Sequence, residues 1–214
     1  MIERKPMADR RGVITVISGF SGTGKGTLMR ELMSRYDNYT LSVSMTTREP
    51  RAGEVDGRDY FFTTDENFEK MVEEGKFIEH AGYCGHYYGT PRDFVYKRLD
   101  EGYDVLLEIE VQGALQVKEK CPDALLLFVT PPSAEELKKR LEGRGTEAPE
   151  VIKERLERAK EESKYIDRYD YLLINDDLDR CTEEMHSIIQ AAHAAPGRNT
   201  ELIKTIIDSL YTIH

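Results

Sequence analysis

Apolar residues come in short runs along this chain, and stretches with helical spacing lie between the runs. Runs that are rich in β-branched side chains are typical of strands buried on both faces of a parallel sheet. Strands that alternate with helices imply a parallel sheet with right-handed crossovers, so the predicted fold class is α/β. The runs predict strands over 11–19, 41–43, 104–109, 124–129 and 171–174.

The stretches between the runs carry helix signals. Apolar residues at helical spacing predict a helix over 25–35. Ser133 and Glu136 form a capping-box pattern, in which each side chain satisfies an amide of the other, so a helix is expected to begin there. Thr90 followed by Pro91 predicts another helix start, with the threonine as cap and the proline in the first turn.

Two stretches break this alternation. Residues 44–90 are rich in Thr, Arg, Gly and Tyr, and we predict that they form a small mixed unit set into the core. Residues 138–163 carry many arginines on mostly polar helix; for Arg140 and Arg158 a solvated helix face and a ligand contact are equally good interpretations. From 196 onward, helical spacing predicts an amphipathic helix that either covers the core or meets a second subunit.

The charge balance restricts the class of partner. The 214 residues include 30 basic and 40 acidic ones, for a net charge of −10. Proteins that coat nucleic acid usually carry a basic excess, so we expect no nucleic-acid partner. A few arginines can nevertheless gather locally, and small anionic ligands stay compatible with this charge.

Composition also indicates the compartment. No apolar run approaches the roughly 18 residues needed to cross a bilayer, so we expect no membrane contact. The first residues lack the apolar core of a secretory signal. The cysteines number three and show no C-x-x-C pair, which argues against a disulfide framework or a zinc site. We therefore expect a cytoplasmic protein.

The segment after the first predicted strand has the pattern of a phosphate-binding loop. It reads G-F-S-G-T-G-K from Gly19 to Lys25, between a predicted strand and a predicted helix. Such a loop wraps backbone N–H groups around phosphate oxygens, and the lysine adds a cation. Gly26 stands where Ser or Thr normally contacts Mg²⁺, so Thr27 is the expected metal contact. The residues predicted to bind the nucleotide phosphates are Ser21, Gly22, Thr23, Gly24, Lys25, Gly26 and Thr27.

A second region also has groups suited to phosphate. From Ser42 to Tyr60 it reads S-V-S-M-T-T-R-E-P-R-A-G-E-V-D-G-R-D-Y. Two of its arginines, Arg48 and Arg51, stand three residues apart across a proline and can form a fork for bidentate phosphate contact. Further motifs follow, Y-Y-G-T from 87 and E-I-E-V-Q-G from 108.

In these motifs the chain closely resembles the guanylate kinase family of the bacterial type, whose members transfer phosphate from ATP to GMP. The resemblance runs from about Gly12 to Ala192 and includes T-P-P-S at 130–133 and R-G-T-E at 144–147. It implies the P-loop nucleoside-monophosphate-kinase fold, a parallel-sheet core with an inserted GMP-binding unit and a short lid. The implied division is a tail at 1–11, a core at 12–43, 91–137 and 164–195, an insert at 44–90, a lid at 138–163 and a terminal helix at 196–214.

The resemblance also implies roles for single residues. The GMP phosphate would be held by Ser44, Arg48, Arg51, Tyr60 and Tyr88. The turn residue Gly89 belongs to the same site. Glu79, Thr90 and one of the two acids Glu108 and Glu110 would read the guanine base, and the sequence leaves open which acid.

On the ATP side the resemblance implies a cationic cluster and a metal ion. Lys25, Arg51, Arg144 and Arg155 would be the catalytic cations, and Asn175 would lie beside the adenine. Mg²⁺ is the expected cofactor, with Thr27 and Glu108 as its contacts, Glu108 directly or through water. ATP and GMP are the expected partners, and a homo-oligomer stays open.

Three alternatives compete with this interpretation. A kinase for AMP or dTMP could use the same core, but the arginine pair and the acidic base-reading positions argue against it. A guanylate-kinase-like protein-binding module would lack a working phosphate loop, whereas the loop glycines and Lys25 are present here. A general NTPase would not need the second site.

Overall fold

The computed structural model describes residues 10–83, 85–143 and 148–212. Apolar runs form the core strands, since β-branched side chains pack well on a pleated surface. The strands are β1 (Ile14–Gly19), β2 (Tyr39–Leu41), β3 (Met45–Thr46), β4 (Phe61–Phe62), β5 (Phe77–Tyr83), β6 (His86–Pro91), β7 (Asp104–Glu108), β8 (Leu125–Thr130) and β9 (Tyr171–Ile174). The helices are α1 (Lys25–Arg35), α2 (Asp65–Glu73), α3 (Arg92–Asp100), α4 (Val111–Lys120), α5 (Ala134–Glu142), α6 (Pro149–Ser163), α7 (Leu178–Ala192) and α8 (Thr200–Thr212).

The central sheet is parallel, with strand order β2-β7-β1-β8-β9. β1 lies in its middle, and its neighbouring residues face opposite cores: Ile17 packs with side chains of α1 and α7, and Val16 with those of α3 and α4. Parallel strands end at the same edge of a sheet, so the segments that follow them lie close together there. The predicted α/β class is confirmed.

A smaller sheet lies beside this core, with strand order β4-β3-β6-β5 in the described chain. β3 pairs in parallel with β4 and antiparallel with β6, and β5 pairs antiparallel with β6. Helix α4 of the core packs against β5. The predicted insert at 44–90 therefore contains most of this sheet.

The second predicted strand and the predicted capping box differ in detail from the structure. The second strand ends at Leu41, not at 43, because the chain then leaves the core sheet and enters β3 at Met45. Ser133 does cap α5 by accepting from the amide of Glu136, but the Glu136 carboxylate accepts from Arg140 at 2.9 Å. Only the hydroxyl half of the capping box is therefore shown.

The terminal segment forms α8 after a short 3-10 turn at Pro196–Arg198. The apolar side chains of Ile206, Ile207 and Leu210 are exposed on it, so α8 does not cover the core of the described chain. Among the helices in the described ranges, none is both long and apolar enough to cross a membrane.

Candidate active site

The loop between β1 and α1 presents backbone groups to a ligand. Gly22 and Gly24 have φ of 91° and 88°, a region that favours glycine. Gly24 is also the N-cap of α1, and within the described residues no side chain caps this helix end. An uncapped helix N-terminus with glycines beside it is suited to phosphate oxygens.

Lys25 folds back over this loop. Its Nζ donates to the carbonyl oxygens of Gly19 at 2.7 Å and Phe20 at 3.1 Å. The ammonium therefore lies within the loop where phosphates are expected. The hydroxyl of Thr27, the predicted metal contact, accepts a hydrogen bond from Arg30 at 3.1 Å.

Asn175 ties the loop to the strands beside it. It follows β9 and is buried, and its Nδ2 donates to the carbonyl oxygen of Thr23 at 2.8 Å. The backbone amide of Asn175 donates to the carbonyl oxygen of Thr130, the last residue of β8, at 2.8 Å. A Cβ on Gly24 would lie 2.7 Å from the same Nδ2. The structure thus places Asn175 against the phosphate loop, and its contact with adenine stays a prediction.

On the acceptor side, the arginine pair is organised by a residue that the sequence prediction missed. Glu54 accepts from the Arg48 guanidinium through Oε1 at 2.9 Å, and from the backbone amide of Arg51 through Oε2 at 2.8 Å. The ion pair with Arg48 lowers the pKa of Glu54 and raises the pKa of Arg48. The available signal was spacing, since Glu54 lies three residues after one arginine and six after the other.

Two tyrosines stand beside Arg48, as predicted for the phosphate-holding group. The guanidinium carbon lies 5.3 Å from the ring centroid of Tyr60, and the rings of Tyr60 and Tyr88 are 6.1 Å apart. Burial raises the pKa of Tyr60. Ser44 is adjacent, because its carbonyl oxygen accepts from the amide of Phe61 at 2.9 Å. The structure therefore brings these predicted residues together, while Arg51 is exposed.

Glu79 is a buried carboxylate held by Thr90. The Thr90 hydroxyl donates to Glu79 Oε1 at 2.6 Å, across the β5–β6 pair, and Glu79 is 5% exposed. Burial raises the pKa of this carboxyl, opposed by the hydrogen bond from Thr90. The prediction that Thr90 caps a helix is wrong, since Pro91 is the N-cap of α3 and the hydroxyl serves Glu79 instead. The predicted turn residue, Gly89, is buried between β3 and β5.

The two acids at the end of β7 point to different neighbours. Glu108 pairs in register with Ile17 of β1, is exposed, and its charge contributes to the raised pKa of Tyr60. Glu110 is the N-cap of α4 and forms an ion pair with Arg158 of α6. Glu108 is therefore the acid nearer the arginine and tyrosine group.

Helix α6 brings cations to the phosphate loop. Arg155 donates to the hydroxyl of Ser21, and Arg158 also contacts Glu162 at 3.0 Å. Burial raises the pKa of Glu162, and the charge of Lys25 opposes that shift. The sequence left open whether Arg158 lies on a solvated helix face or contacts a ligand. Its ion pair with Glu110 places it at the sheet edge where β7 ends. Arg144, the other predicted lid cation, lies outside the described residues.

Comparison with known proteins decides the family. The family model of guanylate kinase matches residues 11–192. The chain belongs to the guanylate kinase family. It is 51% identical over 200 residues to a guanylate kinase of Lactococcus lactis, covering 94% of this chain and 98% of the relative. It is 53% identical over 193 residues to one of Streptococcus pneumoniae, covering 90% and 92%.

A solved structure agrees with this placement. The guanylate kinase from Anaplasma phagocytophilum superposes with a TM-score of 0.74 at 31% identity, over 96% of this chain and 98% of that one. The predicted family and the predicted fold of a P-loop nucleoside-monophosphate kinase are both confirmed. For a guanylate kinase the two clusters described above are the natural candidates for the two nucleotide sites. The roles of their single residues stay predictions.

Proposed function

We propose that this chain is an ATP:GMP phosphotransferase, which converts ATP and GMP into ADP and GDP. The observation that carries the proposal is a pairing of sites. A phosphate loop with Lys25 lies at one end of β1, and a buried carboxylate with a nearby arginine group lies in the adjacent sheet. A general NTPase would need only the first of these.

Guanine fits the carboxylate of Glu79. Its N1–H and exocyclic N2 amine are two adjacent donors, and an ionised carboxylate is acceptor-only with two oxygens. Adenine has an acceptor at N1 and no amine at C2, so a buried carboxylate facing it would stay unpaired. Sites that leave a buried polar group unpaired with the wrong substrate favour the right one by about 10⁴ or more in kcat/KM. Thr90 holds the carboxylate in place for this contact.

The GMP phosphate would bind the cluster around Arg48. Arg48, Arg51, Tyr60 and Tyr88 supply cations and hydroxyls, and Glu54 keeps the two arginines in register. Phosphoryl transfer relies mainly on positioning and on stabilisation of charged oxygens. No general base is required, because the GMP phosphate is itself an anionic nucleophile.

Lys25 and Arg155 would stabilise the transferring phosphate from the donor side. Lys25 already lies over the loop, and Arg155 reaches Ser21 from α6. We assign the lid role to 138–163 and the GMP-binding role to 44–90, so that closure of these segments excludes water from the two polyanions. Arg144 would join Arg155 in that lid.

Mg²⁺ would accompany ATP. Magnesium is usually held by one or two carboxylates together with substrate phosphates and waters. Glu108, an exposed carboxylate at the end of β7 beside β1, fits that pattern, whereas Thr27 fits less well because its hydroxyl accepts from Arg30. The ion would neutralise charge on the phosphate oxygens when bound.

A coupled ADP-release assay with GMP, AMP, UMP, CMP and dTMP tests the proposal. We expect kcat/KM for GMP to exceed that for AMP by about 10⁴. A preference for another nucleotide would assign the chain to a different substrate. ADP release that is independent of any monophosphate would indicate a general NTPase instead.

A further inference from the structure

The carboxylate of Glu79 lies against helix α4 at a glycine. A Cβ on Gly113 would be 2.7 Å from Glu79 Oε2 and 3.2 Å from its Cδ, well inside van der Waals contact. Gly113 is not among the residues with positive φ; it lies within the regular helix. Its backbone could therefore accommodate any residue, and only the space taken by the carboxylate requires glycine.

This glycine carries a cost that the carboxylate explains. Glycine in a helix is destabilising relative to alanine, because it loses more backbone freedom on folding. Gly113 is buried, and nothing in its own backbone offsets that cost. The Glu79 carboxylate fills the position where a side chain would lie, with Oε1 bound to Thr90 and Oε2 facing α4.

One turn further along α4, Gln116 holds the backbone next to Glu79. Its Oε1 accepts from the amide of His80 at 3.2 Å, and its Nε2 donates to the carbonyl oxygen of His80 at 3.0 Å. β5 is an edge strand of the smaller sheet, and edge strands leave backbone groups unpaired on one side. The Gln116 amide therefore takes the place of a neighbouring strand at this residue.

We propose that α4 sets the base specificity of the acceptor site through these two positioning residues. Gly113 leaves the space in which the Glu79 carboxylate sits, and Gln116 fixes the strand that carries it. Because α4 also packs on β1, it fixes the position of the guanine-reading group relative to the core that holds the phosphate loop. The inference rests on the proposed function, in which Glu79 reads guanine.

The main test is Gly113→Ala, assayed with GMP and with AMP. A methyl group here must displace the carboxylate, and a misplacement of about 1 Å can reduce rates by about 10²-fold. We expect KM for GMP to rise and the GMP-to-AMP ratio of kcat/KM to fall by roughly 10- to 100-fold. KM for ATP should not change, since ATP binds at the other site. Thermal unfolding of each variant is measured alongside.

Gly197→Ala is the matched control, because a Cβ there meets nothing within 4 Å and Gly197 lies in the turn before α8. It should leave the ratio unchanged. A double-mutant cycle then separates positioning from general damage. In a Glu79→Ala background the new methyl group has room, so adding Gly113→Ala should not lower the GMP-to-AMP ratio further.

Gln116→Ala gives an independent test that does not add bulk. Loss of both hydrogen bonds to His80 should raise KM for GMP by roughly three- to tenfold at unchanged KM for ATP. Gln116→Glu retains the acceptor for the His80 amide, so its KM for GMP should lie between those of the wild type and Gln116→Ala. This variant pair decides the inference if Gly113→Ala does not fold.

The outcomes separate the inference from the proposed function. A wild-type enzyme without a preference for GMP overturns the proposed function and this inference together. A wild-type preference that persists in folded Gly113→Ala and in Gln116→Ala overturns the inference alone. If kcat/KM for GMP, for AMP and for ATP all fell by the same factor, the variant would be structurally damaged, and this outcome would also overturn the inference.

Discussion

The phosphate loop and the pocket that we propose reads guanine differ in how much of the chain each needs. The loop is one continuous segment, 19–27, and its ligand groups are mainly backbone amides placed by glycines. The pocket combines Glu79 from β5 and Thr90 from the adjacent strand β6 with Gly113 from α4, which lies in a different part of the chain. A local segment can specify the first, whereas the second exists only when two paired strands of the smaller sheet meet a helix of the core.

The two sites also differ in how their charges are controlled. Lys25 is held by carbonyl oxygens of its own loop, so its position depends on local backbone. Arg48 is oriented by Glu54, and Glu79 by Thr90, so each acceptor-side charge has a separate side chain that positions it. Acceptor-side function should therefore be sensitive to residues that touch no substrate.

The largest effect is expected at the donor loop. Lys25→Met removes the cation over the phosphates while keeping the side-chain length, and it should reduce kcat by about 10³ or more. Lys97→Met, at an exposed site on α3, is the control and should retain wild-type kcat. A folded, active Lys25→Met enzyme would contradict the donor-site assignment.

The next effect is expected at Glu79. Glu79→Gln replaces one acceptor with a donor facing guanine, and the GMP-to-AMP ratio of kcat/KM should fall by about 10² or more. Glu73→Gln, an exposed acid on α2, should leave the ratio intact. An unchanged ratio in Glu79→Gln would transfer base reading to Glu108 or Glu110.

The same carboxyl also predicts a pH dependence. Burial raises the pKa of Glu79, so its ionised form, which accepts from guanine, is lost on acidification earlier than for an exposed glutamate. The wild-type GMP-to-AMP ratio of kcat/KM should be at its maximum above that raised pKa and should decline as the pH falls through it. In Glu79→Gln the ratio should be independent of pH over the same range.

A smaller effect is expected at Glu54. Glu54→Gln puts a donor opposite either Arg48 or the amide of Arg51, so KM for GMP should rise by about tenfold, the equivalent of about one charged hydrogen bond. Asp59→Asn is the control, because Asp59 accepts from the amide of Val55 and pairs with Arg58 in the same loop, and its contacts do not include Arg48 or Arg51. Equal KM values for the two variants would mean that Glu54 does not organise the pair.

The smallest effect is expected at Asn175. Asn175→Ala loses the tether to Thr23, a hydrogen bond worth about 1 kcal/mol, so KM for ATP should rise by about fivefold. KM for GMP should stay constant. Asn67→Ala, on the exposed side of α2, should alter neither value. A change in KM for GMP alone would show that the tether does not belong to the donor site.

Sequence reasoning located most of the fold because the relevant signals are local. The core strands follow from apolar runs, and the P-loop follows from glycines and a lysine between a strand and a helix. Glu54 was missed, because an acid in a polar loop has no pattern that distinguishes it from a solvated one. The helix cap predicted at Thr90 has the opposite cause. A threonine before a proline is a valid local signal for a helix start, but here the hydroxyl binds Glu79.

The sequence by itself determined the α/β alternation, the phosphate loop and the family, since each depends on residues close together along the chain. Only the tertiary structure decided that the Thr90 hydroxyl serves Glu79, that Glu110 pairs with Arg158, and that Gly113 is glycine for lack of space. The first contact depends on the register of β5 against β6, and the other two join elements that are distant in sequence. Their partners are chosen by sheet order and helix packing, which no spacing within a single segment encodes.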